Sequence, residues 1–197
     1  MAENSRIVLA TWGSFGDIHP YLGVARGLKA RGHDVVVAAP ETYRSKIERT
    51  GVAFRPVRPQ LPDMRDHTAA GEMARRVMES KDGSRHLVQD MIVPALRDMY
   101  DDLWAATEDA DLLVAHSILF ACPLVAAKRK MPWLSVALQP ILFLSAYDPP
   151  VPPDAPDVIR HRHSIPRPVL KALMAAGKWK IRPWVAPRSG EKRARVP

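Results

Sequence analysis

Residues with chemically useful groups lie close together near the N-terminus, in the stretch "TWGSFGDIHP". Gly13 and Gly16 allow backbone N–H groups to approach a ligand closely, and Ser14 supplies a hydroxyl. Asp17 and His19 can each accept a proton as a general base, the imidazole because it titrates near neutral pH. This spacing predicts one of two things: a loop that binds an anion and moves a proton, or a tight turn in which Asp17 only caps the following helix.

The glycine loop matches neither of the two best-known phosphate-binding fingerprints. Its second glycine falls three residues after the first, so the pattern G-x-G-x-x-G is not present. No Gly-Lys-Ser or Gly-Lys-Thr follows, so it is not a P-loop either. The loop therefore does not identify its ligand, and both capping and catalysis remain open.

The surrounding pattern predicts an α/β fold that places this loop at the end of a buried strand. Continuous apolar, β-branched runs alternate with segments of helical spacing, which predicts a parallel sheet built through right-handed crossovers and covered by helices on both faces. The predicted strands are 5–11, 33–39, 52–57, 111–117 and 132–138. The predicted helices are 17–32, 40–51, about 68–80, 84–110 with a break at Pro94, 118–130 and 167–180.

A third polar candidate, His116, ends the predicted fourth strand. In an open parallel sheet, ligands bind beyond the carboxyl ends of the strands, near the point where the strand order switches. His116 is therefore expected at the same edge as the glycine loop. It could instead be a histidine that only satisfies loop carbonyl groups.

Composition and charge predict one domain followed by a basic tail. The 197 residues carry a net charge of +8, and from residue 157 onward eleven Lys or Arg face two acidic residues. We expect a Rossmann-like domain over 1–160 and a partly helical, basic tail over 161–197. The body is nearly neutral, so no nucleic-acid partner is expected. The tail predicts either a solvated end or a peripheral contact with an anionic membrane.

Cysteine and histidine usage predicts a reducing compartment and no metal. The single cysteine, Cys122, excludes an internal disulfide, and no signal peptide is visible, which favours a cytoplasmic protein. His161 and His163 in the tail lack convincing further ligands, so neither a metal site nor a bound cofactor is expected.

Several motifs together resemble the N-terminal half of the GT-B glycosyltransferases. They are "GDIHP", the passage "ARGLKARGHDV", "GVAFRPV", "DLLVAHSILFACPLVAAKRKMPW" and "LQPILFLSAYDPP". Together they cover roughly residues 5–150. The most similar branch is that of the bacterial enzymes related to sterol and antibiotic glycosyltransferases.

The resemblance implies an inverting transfer of a hexose from a nucleotide-diphosphate sugar, a co-substrate, to a hydroxylated, lipid-like or secondary-metabolite acceptor. In the branch with this motif an aspartate takes the hydroxyl proton, which here is Asp17, with His19 as the competing base. Plant-type relatives carry an aspartate near the position of His116, so an inverted pair is expected, with an acid as base and a histidine as its partner. Gly13 and Ser14, with Gly16 in the same loop, are expected to approach the donor phosphates or the acceptor. Gln139 is expected to line the acceptor cleft.

The family's second, donor-binding domain has no counterpart in the sequence. The resemblance therefore implies an acceptor-binding domain that is inactive alone. The chain could instead be a truncated non-catalytic binding module or the partner of a separate C-terminal donor domain. An unrelated Rossmann-like nucleotide enzyme, with Glu41 on a ribose, is a further possibility.

Overall fold

A computed structural model describes residues 4–63, 66–79, 83–139, 147, 164–173 and 175–176. The strands are β1 (Arg6–Ala10), β2 (Asp34–Ala39), β3 (Ala53–Pro56), β4 (Leu112–His116) and β5 (Trp133–Val136). The helices are α1 (Phe15–Ala30), α2 (Arg44–Glu48), α3 (His67–Ala74), α4 (Gly83–Arg85), α5 (Leu96–Ala106) and α6 (Cys122–Arg129). A 3₁₀ turn, Glu41–Tyr43, leads into α2, and wider π-helical turns, Arg75–Glu79 and His86–Ile92, follow α3 and α4.

The five strands form one parallel sheet in the order β3-β2-β1-β4-β5. In the register of the sheet, β1 lies between β2 and β4, with Val8 opposite Val36 on one side and Leu113 on the other. Residues 7–10 of β1 have no exposed surface, as expected for a central strand covered on both faces. The predicted parallel α/β architecture is therefore confirmed.

Helix α1 begins two residues earlier than the sequence predicts. Ser14, not Asp17, is the N-cap residue, and Asp17 occupies the third helical position. Ser14 is extended and its hydroxyl accepts from the N–H of Gly16, so Asp17 is not the N-cap residue that the capping alternative supposed. Its carboxylate takes part in the cap from the third position instead. Pro20 lies inside the helix.

The predicted helices 40–51 and 118–130 are shorter in the structure. The predicted helix 40–51 is a 3₁₀ turn followed by the five-residue helix α2. The predicted helix 118–130 begins only at Cys122, because residues 117–121 form turns with the N–H of Leu119 bonded to the carbonyl of His116. The predicted break at Pro94 is confirmed by a turn over 93–95 that separates His86–Ile92 from α5.

The tail is described only in part. Residues 167–173 are helical, which agrees with the start of the predicted helix 167–180. Residues 140–146, 148–163 and 177–197 lie outside the described residues, and so do His161, His163 and most of the predicted basic tail.

Candidate functional site

The candidate site lies at the carboxyl ends of β1 and β4, the two neighbouring strands from which the chain proceeds in opposite directions across the sheet. From β1 the chain proceeds to β2 and β3, and from β4 it proceeds to β5 on the other side. Right-handed crossovers in opposite directions leave a crevice between β1 and β4 at the carboxyl edge of the sheet. Asp17 follows β1, His116 ends β4, and Gln139 follows β5, so all three predicted residues reach this edge.

One carboxylate oxygen of Asp17 is fully engaged by its own loop. The backbone N–H of Ser14 donates to Oδ2 at 2.7 Å, and the Ser14 hydroxyl lies 3.1 Å from the same oxygen. The Ser14 side chain in turn accepts from the backbone N–H of Asp17, and these reciprocal hydrogen bonds form a capping box. The Thr11 hydroxyl donates to the Asp17 carbonyl oxygen at 2.9 Å. The carboxylate is therefore fixed in orientation by residues within six positions of it.

Gly13 makes this arrangement sterically possible. Its φ of +135° is one that a side chain rarely tolerates, and a Cβ built there would lie 2.3 Å from Asp17 Oδ2. The Tyr43 hydroxyl donates to the Gly13 carbonyl oxygen at 2.8 Å and holds the loop from the β2 side. Gly16 is less constrained, since a Cβ there would approach nothing closer than the Ser14 Oγ at 3.5 Å.

The second oxygen of Asp17, Oδ1, faces the other two strand ends. Gln139 Nε2 donates to it at 3.2 Å, and His116 Nε2 lies 3.6 Å away. The side chain of Asp17 is 13% exposed and that of His116 is 5% exposed. The expected meeting of Asp17 and His116 is therefore present in the geometry, and Gln139 joins them across 122 residues of sequence.

The His116 ring is buried and lacks hydrogen bonds within the described part of the chain. Neither Nδ1 nor Nε2 has a partner there. Burial lowers the pKa of His116, and the nearby negative charge of Asp17 opposes that shift without cancelling it. Burial therefore favours the neutral imidazole, although a carboxylate lies next to it. A role in satisfying loop carbonyls receives no support, because the ring nitrogens bond to none of the described carbonyls.

His19 lies apart from this cluster. It is exposed on α1, and its ring stacks on Phe15 with centroids 5.4 Å apart and planes inclined by 12°. The ammonium of Lys46 lies over the same Phe15 ring. The structure thus brings Asp17, His116 and Gln139 together and leaves His19 on the outer surface of the helix.

Two buried tyrosines near Asp17 were not predicted as part of the site. Burial raises the pKa of Tyr21, with smaller contributions from Cys122 and Asp17. Burial likewise raises the pKa of Tyr43 to about 12, with a smaller contribution from Asp17. Tyr21 follows Asp17 by four residues, so helical spacing could have placed it beneath the carboxylate. Tyr43 reaches the loop from another strand end, for which the sequence has no local signal.

Glu41, the residue that a nucleotide enzyme of this fold would place on a ribose, is engaged by a neighbouring cation. It forms an ion pair with Arg44 on the exposed α2 side of the sheet, which weakens the case for a ribose ligand. Within the described ranges, no three His, Cys, Asp or Glu side chains are grouped as a metal ion would require. None of the described helices combines the length and apolarity needed to cross a bilayer.

Residues 7–108 match the model of the glycosyltransferase family 28 N-terminal domain. The match covers more than half of the chain and includes β1, α1 and the Asp17 loop. The chain belongs to glycosyltransferase family 28.

Curated relatives of this family 28 chain include antibiotic and sterol glycosyltransferases. The chain is 31% identical over 142 residues to the O-mycaminosyltylonolide 6-deoxyallosyltransferase of Streptomyces fradiae, covering 66% of this chain and 30% of the relative. It is 28% identical over 148 residues to a sterol 3-beta-glucosyltransferase of Aspergillus clavatus, covering 74% of this chain and 10% of the relative. The family 28 chain therefore spans about a third or less of these relatives.

Solved structures show the same fold. The glycosyltransferase SsfS6 of Streptomyces sp. SF2575 superposes with a TM-score of 0.51 at 25% identity, over 67% of this chain and 39% of that one. The glycotransferase of kitacinnamycin superposes with a TM-score of 0.56 at 19% identity, over 93% of this chain and 40% of that one. The family 28 chain has the Rossmann-like fold of the N-terminal half of a GT-B glycosyltransferase, as the resemblance implied.

Proposed function

We propose that this chain is the acceptor-binding half of an inverting, nucleotide-sugar-dependent glycosyltransferase, with Asp17 as general base. The observation that carries the proposal is the asymmetry of the Asp17 carboxylate. Oδ2 is held by the Ser14 amide and hydroxyl, whereas Oδ1 faces Gln139 and His116 at the ends of β5 and β4. A carboxylate fixed in orientation, with one oxygen left outside its own loop, is suited to act as a general base.

In the proposed reaction an acceptor hydroxyl approaches Oδ1. Its oxygen attacks the anomeric carbon of the donor sugar while its proton passes to Oδ1. The bond between the anomeric carbon and the diphosphate oxygen breaks, and the nucleoside diphosphate leaves with the bonding pair. A single displacement of this kind inverts the anomeric configuration.

The neutral state of His116 supports the role of Asp17 as a base. A protonated imidazole 3.6 Å from Oδ1 would form an ion pair with the carboxylate and reduce its tendency to take a proton. Burial favours the uncharged ring, which forms no such ion pair with Oδ1. Gln139 occupies the same side of Oδ1 and would contact the acceptor hydroxyl when it arrives.

The substrate classes are proposed from the relatives. The names of two relatives specify a deoxyallosyl transfer to O-mycaminosyltylonolide and a glucosyl transfer to a sterol, and that of a Dictyostelium discoideum relative specifies a UDP-sugar donor. The SsfS6 glycosyltransferase has been solved with thymidine diphosphate. We propose a hydroxylated small-molecule acceptor and a nucleotide-diphosphate sugar for this chain.

Donor binding is proposed to reside largely in a second domain, with residues 1–160 as the acceptor domain. Transfer requires the anomeric carbon to be held against the acceptor oxygen, so an acceptor half alone should transfer little sugar. The test joins this chain to the C-terminal half of the Streptomyces fradiae relative. Labelled UDP- and thymidine-diphosphate sugars are supplied with a sterol and with O-mycaminosyltylonolide. We expect transfer by the joined polypeptide and none above background by the chain alone, which should still bind acceptor as followed by tryptophan fluorescence.

The Asp17→Asn variant of the joined polypeptide tests the base directly. Loss of a general base should lower kcat by roughly 10²- to 10⁴-fold, with a much smaller change in the acceptor KM. The matched control is Asp34→Asn, which alters an exposed carboxylate at the amino end of β2 and therefore at the opposite edge of the parallel sheet. A His19→Gln variant separates the two predicted bases: if it abolishes transfer while Asp17→Asn does not, the assignment to Asp17 is wrong. If both the chain alone and the joined polypeptide bind acceptor but transfer sugar from none of the supplied donors, a non-catalytic binding module is favoured.

A further inference from the structure

The Tyr21 hydroxyl is a buried polar group that the proposed reaction does not use. Tyr21 is 3% exposed, and its hydroxyl has no hydrogen-bond partner among the residues that the structure describes. An unsatisfied buried hydroxyl costs about 1–3 kcal/mol, so such groups are normally paired with protein or with ordered water. Phenylalanine would avoid this cost, which indicates that the hydroxyl has a partner at this position.

Tyr21 lies next to Asp17 on α1. It follows Asp17 by one helical turn, on the buried face of the helix. Burial raises the pKa of its hydroxyl, with smaller contributions from Cys122 and Asp17. Cys122 is a fully buried thiol at the start of α6, six residues after His116. The Tyr21 hydroxyl is therefore a buried polar group on the turn of α1 that follows Asp17.

His116 offers the complementary group. Its Nε2 faces Asp17 Oδ1 at 3.6 Å, an arrangement that favours a proton on Nε2. Nδ1 is then an acceptor, and it is also buried and without a partner in the described part of the chain. A buried donor and a buried acceptor beside the same carboxylate meet the condition for a bridging water, which needs two or more polar partners.

We propose that Tyr21 is a positioning residue: its hydroxyl donates, through a buried water, to Nδ1 of His116 and so fixes the neutral Nε2–H tautomer that faces Asp17. This proposal builds on the role of Asp17 proposed above. Among the described residues, Asp17 is the charged group that acts on His116, and the uncharged Gln139 binds the same carboxylate oxygen. A hydrogen bond to the unprotonated Nδ1 stabilises the neutral ring, so the hydroxyl should help to keep His116 uncharged.

The test is histidine-selective NMR on this chain, which does not depend on transferase activity. The His116 signal is assigned by its loss in His116→Gln. Tyr21→Phe, which removes only the hydroxyl, should raise the pKa of His116 by about half a unit or more, since one neutral hydrogen bond is equivalent to roughly that shift. Tyr100→Phe, on α5, is the matched control and should leave that pKa unchanged. Asp17→Asn should shift it in the opposite direction, because the Asp17 charge raises it.

The outcomes are distinct. An unchanged His116 pKa in Tyr21→Phe, together with a higher thermal midpoint, would mean that the hydroxyl is merely unsatisfied, and would overturn the proposal. If Tyr21→Phe fails to fold, the ¹⁵N shifts of the unmodified chain decide: an Nε2–H tautomer with a hydrogen-bonded Nδ1 supports the proposal, and an Nδ1–H tautomer contradicts it. Either result can occur whether or not Asp17 proves to be the base, so the two proposals fail separately.

Discussion

The two strand ends that meet at the site are built in opposite ways. At the end of β1, Ser14 holds the Asp17 carboxylate, and Gly13 leaves room for it. The Thr11 hydroxyl donates to the backbone carbonyl oxygen of Asp17. At the end of β4, the His116 ring has no hydrogen bonds among the described residues and is set in place by packing and by its proximity to Asp17. The first side is fixed by a short stretch of sequence, and the second depends on how the whole sheet assembles. Mutations should therefore affect the two sides differently.

The largest effect is expected from Gly13→Ala. The new Cβ would overlap Asp17 Oδ2, and the backbone φ of +135° at position 13 would be strained for alanine. Such strain costs about 1–3 kcal/mol by itself, so a loss of at least about 2 kcal/mol in the free energy of unfolding is expected, measured by urea denaturation. Gly23→Ala is the control, because a Cβ there meets nothing within 4 Å. It should stabilise the interior of α1 by about 0.5–1 kcal/mol. Equal effects of the two substitutions would contradict the close packing of Gly13 on Asp17.

A smaller loss is expected from Ser14→Ala. Removing the N-cap hydroxyl leaves the Gly16 N–H without its side-chain acceptor and removes one of the two contacts to Asp17 Oδ2. The cost should be about 1 kcal/mol of unfolding free energy, again by denaturation. Ser14→Thr keeps a capping hydroxyl and should therefore retain most of the unfolding free energy that Ser14→Ala loses. If Ser14→Thr is as unstable as Ser14→Ala, the capping box is not what holds the β1 end.

The smallest effect is expected from acidification at the β4 end. Burial lowers the pKa of folded His116, so between that value and the ordinary value of about 6.5 the unfolded chain binds more protons than the folded one. The stability contributed by neutral His116 is therefore complete above about pH 6.5 and is lost as the pH falls through the lowered pKa. His116→Gln should show a shallower loss of stability between about pH 7.5 and 5.5 in thermal unfolding. Identical slopes in the two proteins would show that His116 carries no such linkage.

The sequence predicted the architecture better than the details of the site. Hydrophobic runs located all five strands, and Pro94 marked the break before α5, because burial on both faces and a missing N–H are local properties. The start of α1 was predicted two residues late, because Ser14 and Asp17 are both good caps and the sequence does not say which one is extended. The short turn after β4 was also missed, because the apolar run 118–121 is compatible with a helix.

What the sequence by itself determined is the parallel sheet and the loop that delivers Asp17 to its edge, since strand burial, capping and the glycine backbone depend on neighbouring residues. Only the tertiary structure decided that Oδ1 faces Gln139 and His116, that His19 lies outside, and that the Tyr21 hydroxyl is buried without a partner among the described residues. Those contacts join residues up to 122 positions apart. Their distances follow from the strand order β3-β2-β1-β4-β5, which places the ends of β1, β4 and β5 side by side.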